Sequence, residues 1–449
     1  MLNFKKIDLN DFSKIQEIIK NSGAMSCENN VINLIVWQKA YNNMYAVCDG
    51  MLFLKSGKEK SQSFALPIGY DLEKGIELIF QYTYPEKPRF WLQDGDNIEK
   101  FKAILQESYD ISPERDAFDY IYNQSDLAQL SGKKYHAKRN HISAFSKQFD
   151  WSYKPITEEN TDEVLACADE WYKENSDRFD EYMAIEKAGI KTILKNMSLL
   201  NARGGAVYVD GKVVAFTIGS PINDDVFDIH IEKALGDYAT AYTVINREFA
   251  KTLSDYKYIN REDDMGLSGL RKAKLSYKPE VLLKKYTAIP LKNALMRLYD
   301  SAFHDGPFTK KLFDLCTDYV KTLRINGETV AMCFALPCEI GGKKAEYIYG
   351  FTVKEEHRGK GYGKALMEKV KNDADGIVIL RPADCKLIEY YKKLGFKEIS
   401  ASNQKGDISV LPTGSYKTLA ETDKKGEYTV MYLADGDING TLYFPYSMA

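Results

Sequence analysis

Three two-residue turns constrain the fold of this chain more than any other feature of its sequence. Asp49-Gly50, Asp210-Gly211 and Asn326-Gly327 each separate two apolar, β-rich runs. Such dipeptides accept the positive φ angles that tight β-hairpins require. Each turn follows a predominantly helical segment, and the spacings are too long and too unequal for a solenoid. The pattern therefore predicts three α+β units of similar plan.

Two boundaries divide the chain into these units. The first lies near Asp119, and the second lies near Pro290, where an extended run passes into a new helix. The expected units are therefore residues 1–118, 119–289 and 290–449. With 449 residues, of which 44% are hydrophobic, the chain is long enough to give each unit a core of its own.

Charge and cysteine content exclude several classes of protein. The formal net charge of −3 gives no general attraction to nucleic acid or anionic lipid, so we expect no DNA partner. No apolar run approaches the ~18 residues of a membrane span, and the first residues lack the apolar core of a signal peptide. We therefore expect a cytoplasmic protein without integral membrane association. The seven cysteines form no C-x-x-C pair, which argues against a disulfide framework and a structural zinc site.

A glycine-rich segment lies between a predicted strand and a predicted helix. The strand covers residues 345–353, AEYIYGFTV, and the helix places Leu366 and Val370 on one face. The three glycines between them let the backbone approach a ligand closely, and the free N–H groups of a first helical turn attract anions. Dinucleotide and nucleoside-triphosphate loops are excluded, because Lys364 and Arg358 stand where those motifs need glycine. Taken alone, the segment is equally compatible with a solvated surface turn.

The residues around this loop resemble the GNAT superfamily of acyl-CoA-dependent N-acyltransferases. Arg358, Gly361 and Gly363 match the pyrophosphate-loop pattern of that family, and Gly395-Phe396 matches the ending of its next helix; the likeness covers residues 290–399. It implies that acetyl-CoA is a cosubstrate. The main chain implied to pair with the pantetheine arm of CoA is that of Phe351, Thr352 and Val353. The implied pyrophosphate contacts are the loop amides of Arg358, Gly359, Lys360, Gly361, Tyr362, Gly363 and Lys364.

Two side chains are candidates for the proton transfers of this chemistry. Tyr391 shares the apolar stripe of its predicted helix, whereas Tyr390 lies off that stripe. Tyr391 also stands where the GNAT family carries the acid that protonates the leaving thiolate, so the resemblance assigns it that role. Glu346 is the candidate base, which a chain of water molecules could replace. Gly350, inside the same strand as Glu346, predicts a bulge or a close backbone contact.

A second resemblance covers the first two-thirds of the chain. Residues 120–145, 227–250 and 258–279 are similar to a bacterial family related to the C-terminal domain of phosphatidylglycerol lysyltransferase. That family is built from paired acyltransferase-like folds, and its relatives move an aminoacyl group from tRNA to a lipid. The two resemblances together imply an α+β fold of three GNAT-like units, each a mixed, mostly antiparallel sheet flanked by helices. Gly236 is a single glycine where the middle unit would need its phosphate loop, which argues against acetyl-CoA binding there.

Two further polar features of the middle unit have ordinary structural explanations. The basic run GKKYHAKRNH, residues 132–141, could follow a phosphate backbone, but such runs are more often one solvated face of a helix. His230 and Glu232 alternate on one face of a predicted strand, as in the wall of a cleft. No third ligand stands at metal-binding spacing in the sequence, so we expect no metal.

Three functions remain compatible with the sequence. The preferred one is a CoA-dependent N-acetyltransferase whose C-terminal unit acts on a small-molecule or peptide amine. The second is an aminoacyl-tRNA-dependent transferase acting through the first two units, for which tRNA would be the partner. The acidic balance and the lack of predicted membrane spans count against a lipid acceptor. The third is a binding protein that uses transferase folds for recognition only.

Overall fold

The computed structural model describes residues 2–58, 61–340, 343–402, 427–434 and 442–443. Its strands are β1 Lys5–Lys6, β2 Met44–Cys48, β3 Met51–Ser56, β4 Ser63–Ala65, β5 Arg89–Gln93, β6 Tyr109–Pro113, β7 Asp119–Asn123, β8 Trp151–Pro155, β9 Arg203–Val209, β10 Lys212–Pro221, β11 Val226–Ala234, β12 Tyr258–Asn260, β13 Val281–Leu283, β14 Lys285–Pro290, β15 Val320–Ile325, β16 Glu328–Ile340, β17 Lys343–Val353, β18 Ile377–Leu380, β19 Lys397–Ser402, β20 Glu427–Leu433 and β21 Leu442–Tyr443. Its α-helices are α1 Phe12–Lys20, α2 Val31–Val36, α3 Gln38–Tyr41, α4 Leu72–Thr83, α5 Asp96–Leu105, α6 Gln124–Gln129, α7 His136–Gln148, α8 Thr161–Glu174, α9 Glu181–Lys195, α10 Ala241–Lys251, α11 Ser268–Leu275, α12 Leu291–Phe303, α13 Pro307–Cys316, α14 Tyr362–Asp373 and α15 Cys385–Lys393.

Three mixed sheets share one plan. Their strand orders include β1-β2-β3-β4-β5-β14, β13-β7-β12-β11-β10-β9-β8 and β15-β16-β17-β18-β20-β19. Each sheet contains an antiparallel hairpin followed by one parallel pair of strands. The parallel pairs are β4 with β5, β11 with β12 and β17 with β18. The connecting helices are α4, α10 and α14. The prediction of three GNAT-like α+β folds, one for each sheet, is confirmed.

The predicted hairpin turns are present in all three sheets. Asp49 and Gly50 have φ angles of 49° and 72°, Asp210 and Gly211 have 49° and 77°, and Asn326 and Gly327 have 53° and 91°. Positive φ at both central residues matches the twist of the flanking strands. Aspartate, asparagine and glycine are the residues that enter this region at low cost, which explains why the sequence signal was reliable.

The first two sheets belong to one compact unit, residues 1–105 and 113–288, which is called the first unit from here on. One apolar cluster includes buried residues of both sheets, such as Leu52 and Phe216, together with Val31 of α2 and Ile190 of α9. Strand β14 follows β13 of the second sheet in the chain, yet it returns to the first sheet and pairs antiparallel with β5. The two sheets are therefore interlocked by chain connectivity as well as by packing.

The third sheet forms the core of a second unit, residues 106–112 and 289–449. Successive residues of its strands face opposite sides. One side packs Phe334 against Tyr299 of α12 and Phe313 of α13. The other packs Leu366 and Met367 of α14 beside α15. Within the described part of the chain, no helix is both long and apolar enough to cross a lipid bilayer.

Candidate functional site

The parallel strands of the third sheet separate beyond a short paired region. Strand β17 pairs with β18 over Ala345–Ile348 and Ile377–Leu380. Past that region, Thr352 and Val353 pair only with β16 on the other side among the described strands. The main chain of residues 351–353 therefore has no described partner strand on its β18 side, although the Val353 carbonyl accepts a 3.3 Å hydrogen bond from Arg358 Nε.

Gly350 marks the place where β17 changes course. Its φ is +59°, and a Cβ added there would lie 2.6 Å from the ring of Tyr299. The pairing with β16 shifts register here, because Phe334 pairs with Tyr349 and Met332 pairs with Thr352. The predicted bulge is confirmed. Only glycine combines the positive φ with the close ring contact, so this residue fixes the direction of the segment that follows.

The glycine-rich segment is an open loop that leads into α14. Gly359 and Gly361 have φ angles of +78° and +85°, and a Cβ at either would meet no atom within 4 Å. Gly361 is the N-cap of α14 and provides no side-chain hydrogen bond to the first turn. Arg358 and Lys360 beside it are exposed. Unpaired amides, the positive end of the helix dipole and two cationic neighbours form a site that attracts an anion.

The equivalent helices of the first two sheets begin differently. Asp71 caps α4, where its Oδ1 accepts a hydrogen bond of 3.0 Å from the Lys74 amide. Before α10, the amide of Gly236 donates 3.0 Å to Oε2 of Glu174. A carboxylate thus lies at the start of α4 and in the loop before α10, where its negative charge would repel a phosphate. We still predict that CoA does not bind at the Gly236 loop, because the Glu174 carboxylate would repel its phosphates.

Tyr391 lies under the separated part of β17. Its side chain is 6% exposed, and its ring centroid is 6.4 Å from that of Phe351 and 5.7 Å from that of Phe396. Burial raises the pKa of Tyr391 above its ordinary value. The phenol therefore stays protonated at neutral pH, the state that a proton donor needs.

Tyr390 departs from its sequence prediction. It packs against the same apolar cluster as Tyr391, and its hydroxyl lies 2.9 Å from the position of a Cβ at Gly363. The apolar stripe of a helix is wide enough for two consecutive long side chains to reach one surface from its two sides. Periodicity therefore could not separate the two tyrosines.

Glu346 lies in the part of β17 that is still paired with β18, opposite Val378. Its Oε2 is buried without a hydrogen-bond partner among the described residues. Burial raises the pKa of Glu346, against the opposing effect of Lys321. A half-buried carboxylate with a raised pKa is a better proton acceptor near neutral pH than an exposed one.

A second polar site lies in the first unit, where β11 and β12 separate. Their parallel pairing covers Val226–Asp228 and Tyr258–Asn260. Asp228 and His230 of β11 meet Glu262, which follows β12. His230 Nδ1 lies 3.5 Å from Asp228 Oδ2 and 3.4 Å from Glu262 Oε1. Burial and the Glu262 charge raise the pKa of Asp228 well above its usual value.

A buried lysine lies in the same unit. Lys285 Nζ donates 2.7 Å to Asp119 Oδ1, is 2.6 Å from Glu28 Oε2 and is 3.4 Å from Cys27 Sγ. Burial disfavours the ammonium, but Asp119, Cys27 and Glu28 together outweigh burial and raise the pKa of Lys285 well above its ordinary value. Its charge therefore balances carboxylates contributed by distant parts of the chain.

Replacing Lys285 by Met should lower the free energy of unfolding of the first unit by ~3–5 kcal/mol, because Asp119 would lose its cation while remaining fully buried. Urea unfolding of the full-length chain, followed by circular dichroism, measures the change. Lys20→Met is the control, since Lys20 and Asp224 are 49% and 79% exposed and such pairs contribute less than ~1 kcal/mol. Equal losses in both variants would contradict the account.

The sequence pointed to His230 but not to its partners. Glu232, which alternates with His230, pairs with Arg261 at 2.6 Å instead. Asp228, two residues before His230, could have been identified as a partner from the sequence, because both side chains lie on the same face of β11. Glu262 could not be paired with His230 from the sequence, since their contact joins positions 32 residues apart.

The basic run at residues 132–141 makes mainly local contacts. Lys134 pairs with Asp126 at 2.9 Å, Arg139 donates to the Gly132 carbonyl at 2.8 Å, and Lys138 Nζ lies 3.7 Å from the Tyr277 ring centroid. Burial and the nearby Arg261 lower the pKa of Lys138 to about 8. These contacts favour the structural role over a phosphate-binding surface.

A cavity of ≈ 900 Å³ opens beside the separation of β4 and β5 in the first unit. Trp91, Gln93 and Asp94 of β5 and its following turn line it, together with Lys100. Its size and mixed lining suit a small molecule with polar groups.

Comparison with known proteins places the chain in a family. Residues 20–289, more than half of the sequence, match the family model for phosphatidylglycerol lysyltransferase, C-terminal. The chain belongs to this family. Residues 319–398 match the acetyltransferase (GNAT) domain. Both resemblances drawn from the sequence are confirmed, and both matched families are acyltransferase families.

Three individual relatives illustrate the likeness. A conserved protein of unknown function from Bacteroides thetaiotaomicron is 38% identical with a TM-score of 0.61, and the match covers 65% of this chain and 100% of that one. The C-terminal domain of a putative lysylphosphatidylglycerol synthetase from Agrobacterium fabrum is 12% identical with a TM-score of 0.47, over 65% of this chain and 95% of that one. An uncharacterized protein of Mycoplasmoides gallisepticum is 27% identical over 173 residues, which are 37% of this chain. The chain spans about half, 54%, of the length of that curated relative.

Proposed function

We propose that the C-terminal unit transfers an acyl group, acetyl in the simplest case, from coenzyme A to an amine. The observation that supports this most is the start of α14. Gly361 leaves the first turn without a side-chain cap, whereas Asp71 caps α4 and the Glu174 carboxylate lies in the loop before α10. The first turn of α14 therefore offers open amides to a phosphate, and no described side chain caps them.

The proposed binding mode uses main-chain groups. The amides of residues 359–364 would hold the pyrophosphate, because the Arg358 amide already donates 3.1 Å to the Glu355 carbonyl. The main chain of Phe351–Val353 would pair with the pantetheine arm. Arg358 and Lys360 would add positive charge at the loop without occupying the space above Gly359 and Gly361.

The proposed reaction is a direct attack. The amine nitrogen attacks the thioester carbonyl carbon, so that a C–N bond forms and the C–S bond breaks. Glu346, directly or through water, would accept the proton of the attacking ammonium. Tyr391, whose buried phenol carries its proton at neutral pH because burial raises its pKa, would give that proton to the departing thiolate.

An assay with the full-length chain tests this function. Labelled acetyl-CoA is incubated with a panel of small-molecule and peptide amines, with hydrolysis of acetyl-CoA as a second readout. Labelled lysyl-tRNA is supplied in a parallel reaction. Transfer from acetyl-CoA supports the proposal. Transfer from lysyl-tRNA alone, or binding of neither donor, would reject it.

A second candidate function is aminoacyl transfer by the first unit. Membership of the lysyltransferase family favours it, and the ionisable cluster at the separation of β11 and β12 gives it a candidate centre. The cavity beside β4 and β5 offers room for a substrate. The lysyl-tRNA reaction described above measures this activity separately.

A further inference from the structure

The described residues contain three clusters in which histidine, cysteine or carboxylate groups converge. They are Cys27–Glu28–Asp119, Glu328–Glu356–His357 and Asp228–His230–Glu262. The first contains Lys285, whose Nζ is 2.7 Å from Asp119 Oδ1. The second contains Lys354, whose Nζ is 2.6 Å from Glu328 Oε1 and 3.3 Å from Glu356 Oε1. The protein itself supplies a cation to both.

The third cluster differs in its charge balance. Within residues 2–58, 61–340 and 343–402, no lysine or arginine forms an ion pair with Asp228 or Glu262. The Asp228 side chain is fully buried and that of His230 is 3% exposed. Asp228 Oδ1 is buried and has no hydrogen-bond partner among the described residues. A buried carboxylate without a paired cation, as at Asp228, is costly, so an external cation would stabilise this cluster.

The distances within the cluster fit a small ion. His230 Nδ1 is 3.5 Å from Asp228 Oδ2 and 3.4 Å from Glu262 Oε1, both longer than good hydrogen bonds. Donors bound tetrahedrally at ~2.0–2.1 Å from one ion lie ~3.3–3.4 Å apart. All three donor atoms lie within 4.8 Å of one another.

Neighbouring groups orient the three donors. His230 Nε2 lies 2.8 Å from Ser220 Oγ, which also accepts a 3.0 Å hydrogen bond from Asn30 Nδ2. The other ring nitrogen, Nδ1, is thereby directed at the carboxylates. Asn33 Nδ2 donates 2.8 Å to Glu262 Oε1 and 3.3 Å to Asp228 Oδ2. Outer partners of this kind hold ligands in place at metal sites.

We propose that Asp228, His230 and Glu262 bind one divalent transition-metal ion, with zinc as the best match. An imidazole with two carboxylates suits zinc and its neighbours, whereas magnesium and calcium prefer oxygen ligands alone. The site lies in the first unit, so it is independent of the acetyl transfer proposed for the C-terminal unit.

Calorimetric titration of zinc chloride into metal-free, full-length protein tests the proposal. We expect one high-affinity zinc ion per chain and a rise in the melting temperature on binding. Asp228→Asn and His230→Gln should each weaken binding by at least ~100-fold, because loss of even an outer partner costs ~10–100-fold. His357→Gln is the matched control, since its cluster already contains Lys354, and it should bind zinc as the wild type does.

Glu262→Gln keeps the test valid if the substitutions at the more buried Asp228 and His230 prevent folding. Its side chain is 25% exposed, so circular dichroism should show a native fold while zinc affinity falls. The absence of zinc binding by the wild type would overturn the proposal. Undiminished binding by Glu262→Gln, or loss of binding in His357→Gln, would also overturn it.

Discussion

Replacing Gly361 by Asp is expected to weaken binding of acetyl-CoA to the full-length chain by at least ~100-fold. The new carboxylate would enter the open space above the loop, repel the pyrophosphate and compete for the amides of α14. Loss of two hydrogen bonds to charged groups, at ~1.5 kcal/mol each, corresponds to about that factor. Calorimetric titration with acetyl-CoA measures it.

Gly361→Asn is the matched control. Asparagine has the size of aspartate and tolerates the +85° φ angle of this residue, but it adds no charge. It should therefore keep more affinity than Gly361→Asp, and both variants should melt at the same temperature. Gly363→Asp should also weaken binding, but its Cβ would lie 2.9 Å from the Tyr390 hydroxyl, so packing contributes there. Unchanged affinity in Gly361→Asp would make the loop an ordinary surface turn.

Replacing Tyr391 by Phe is expected to reduce turnover by the ~10²–10⁴-fold typical of losing a general acid. The ring and its contacts with Phe351 and Phe396 remain, so stability and CoA affinity should change little. Rates are compared at saturating acetyl-CoA, on an amine for which the chemical step limits turnover.

Tyr390→Phe distinguishes the two neighbouring tyrosines. The Tyr390 hydroxyl lies beside Gly363 at the start of α14, so its loss should affect CoA affinity more than turnover. The reverse outcome, with turnover lost in Tyr390→Phe and kept in Tyr391→Phe, would assign the acid to Tyr390. Equal rates for Tyr391→Phe and the wild type would make Tyr391 a core residue.

Local features of the fold could be predicted from the sequence because their causes are local. The three hairpins depend on dipeptides that accept positive φ, and the bulge at Gly350 depends on one residue without a side chain. The loop from Arg358 to Lys364 is likewise contiguous in sequence. In each case the residues that form the structure are adjacent in the chain, so their chemistry specifies it without knowledge of distant contacts.

Contacts between distant residues could not be predicted in this way. Ile111 belongs with the second unit, where its amide donates 3.0 Å to the Gly327 carbonyl. Lys285 and Asp119 form an ion pair across 166 positions, and Asn33 contacts Asp228 across 195. Periodicity indicates which face of an element is buried, but it does not indicate what that face meets.

The central claim is that coenzyme A binds the C-terminal unit alone, because carboxylates lie at the start of α4 and in the loop before α10 but not at the start of α14. Calorimetric titration of acetyl-CoA into the wild-type, full-length chain tests it most directly. We predict one bound molecule per chain, and no measurable high-affinity site in Gly361→Asp. A stoichiometry of zero or two, or a single site that survives in Gly361→Asp, would contradict the claim.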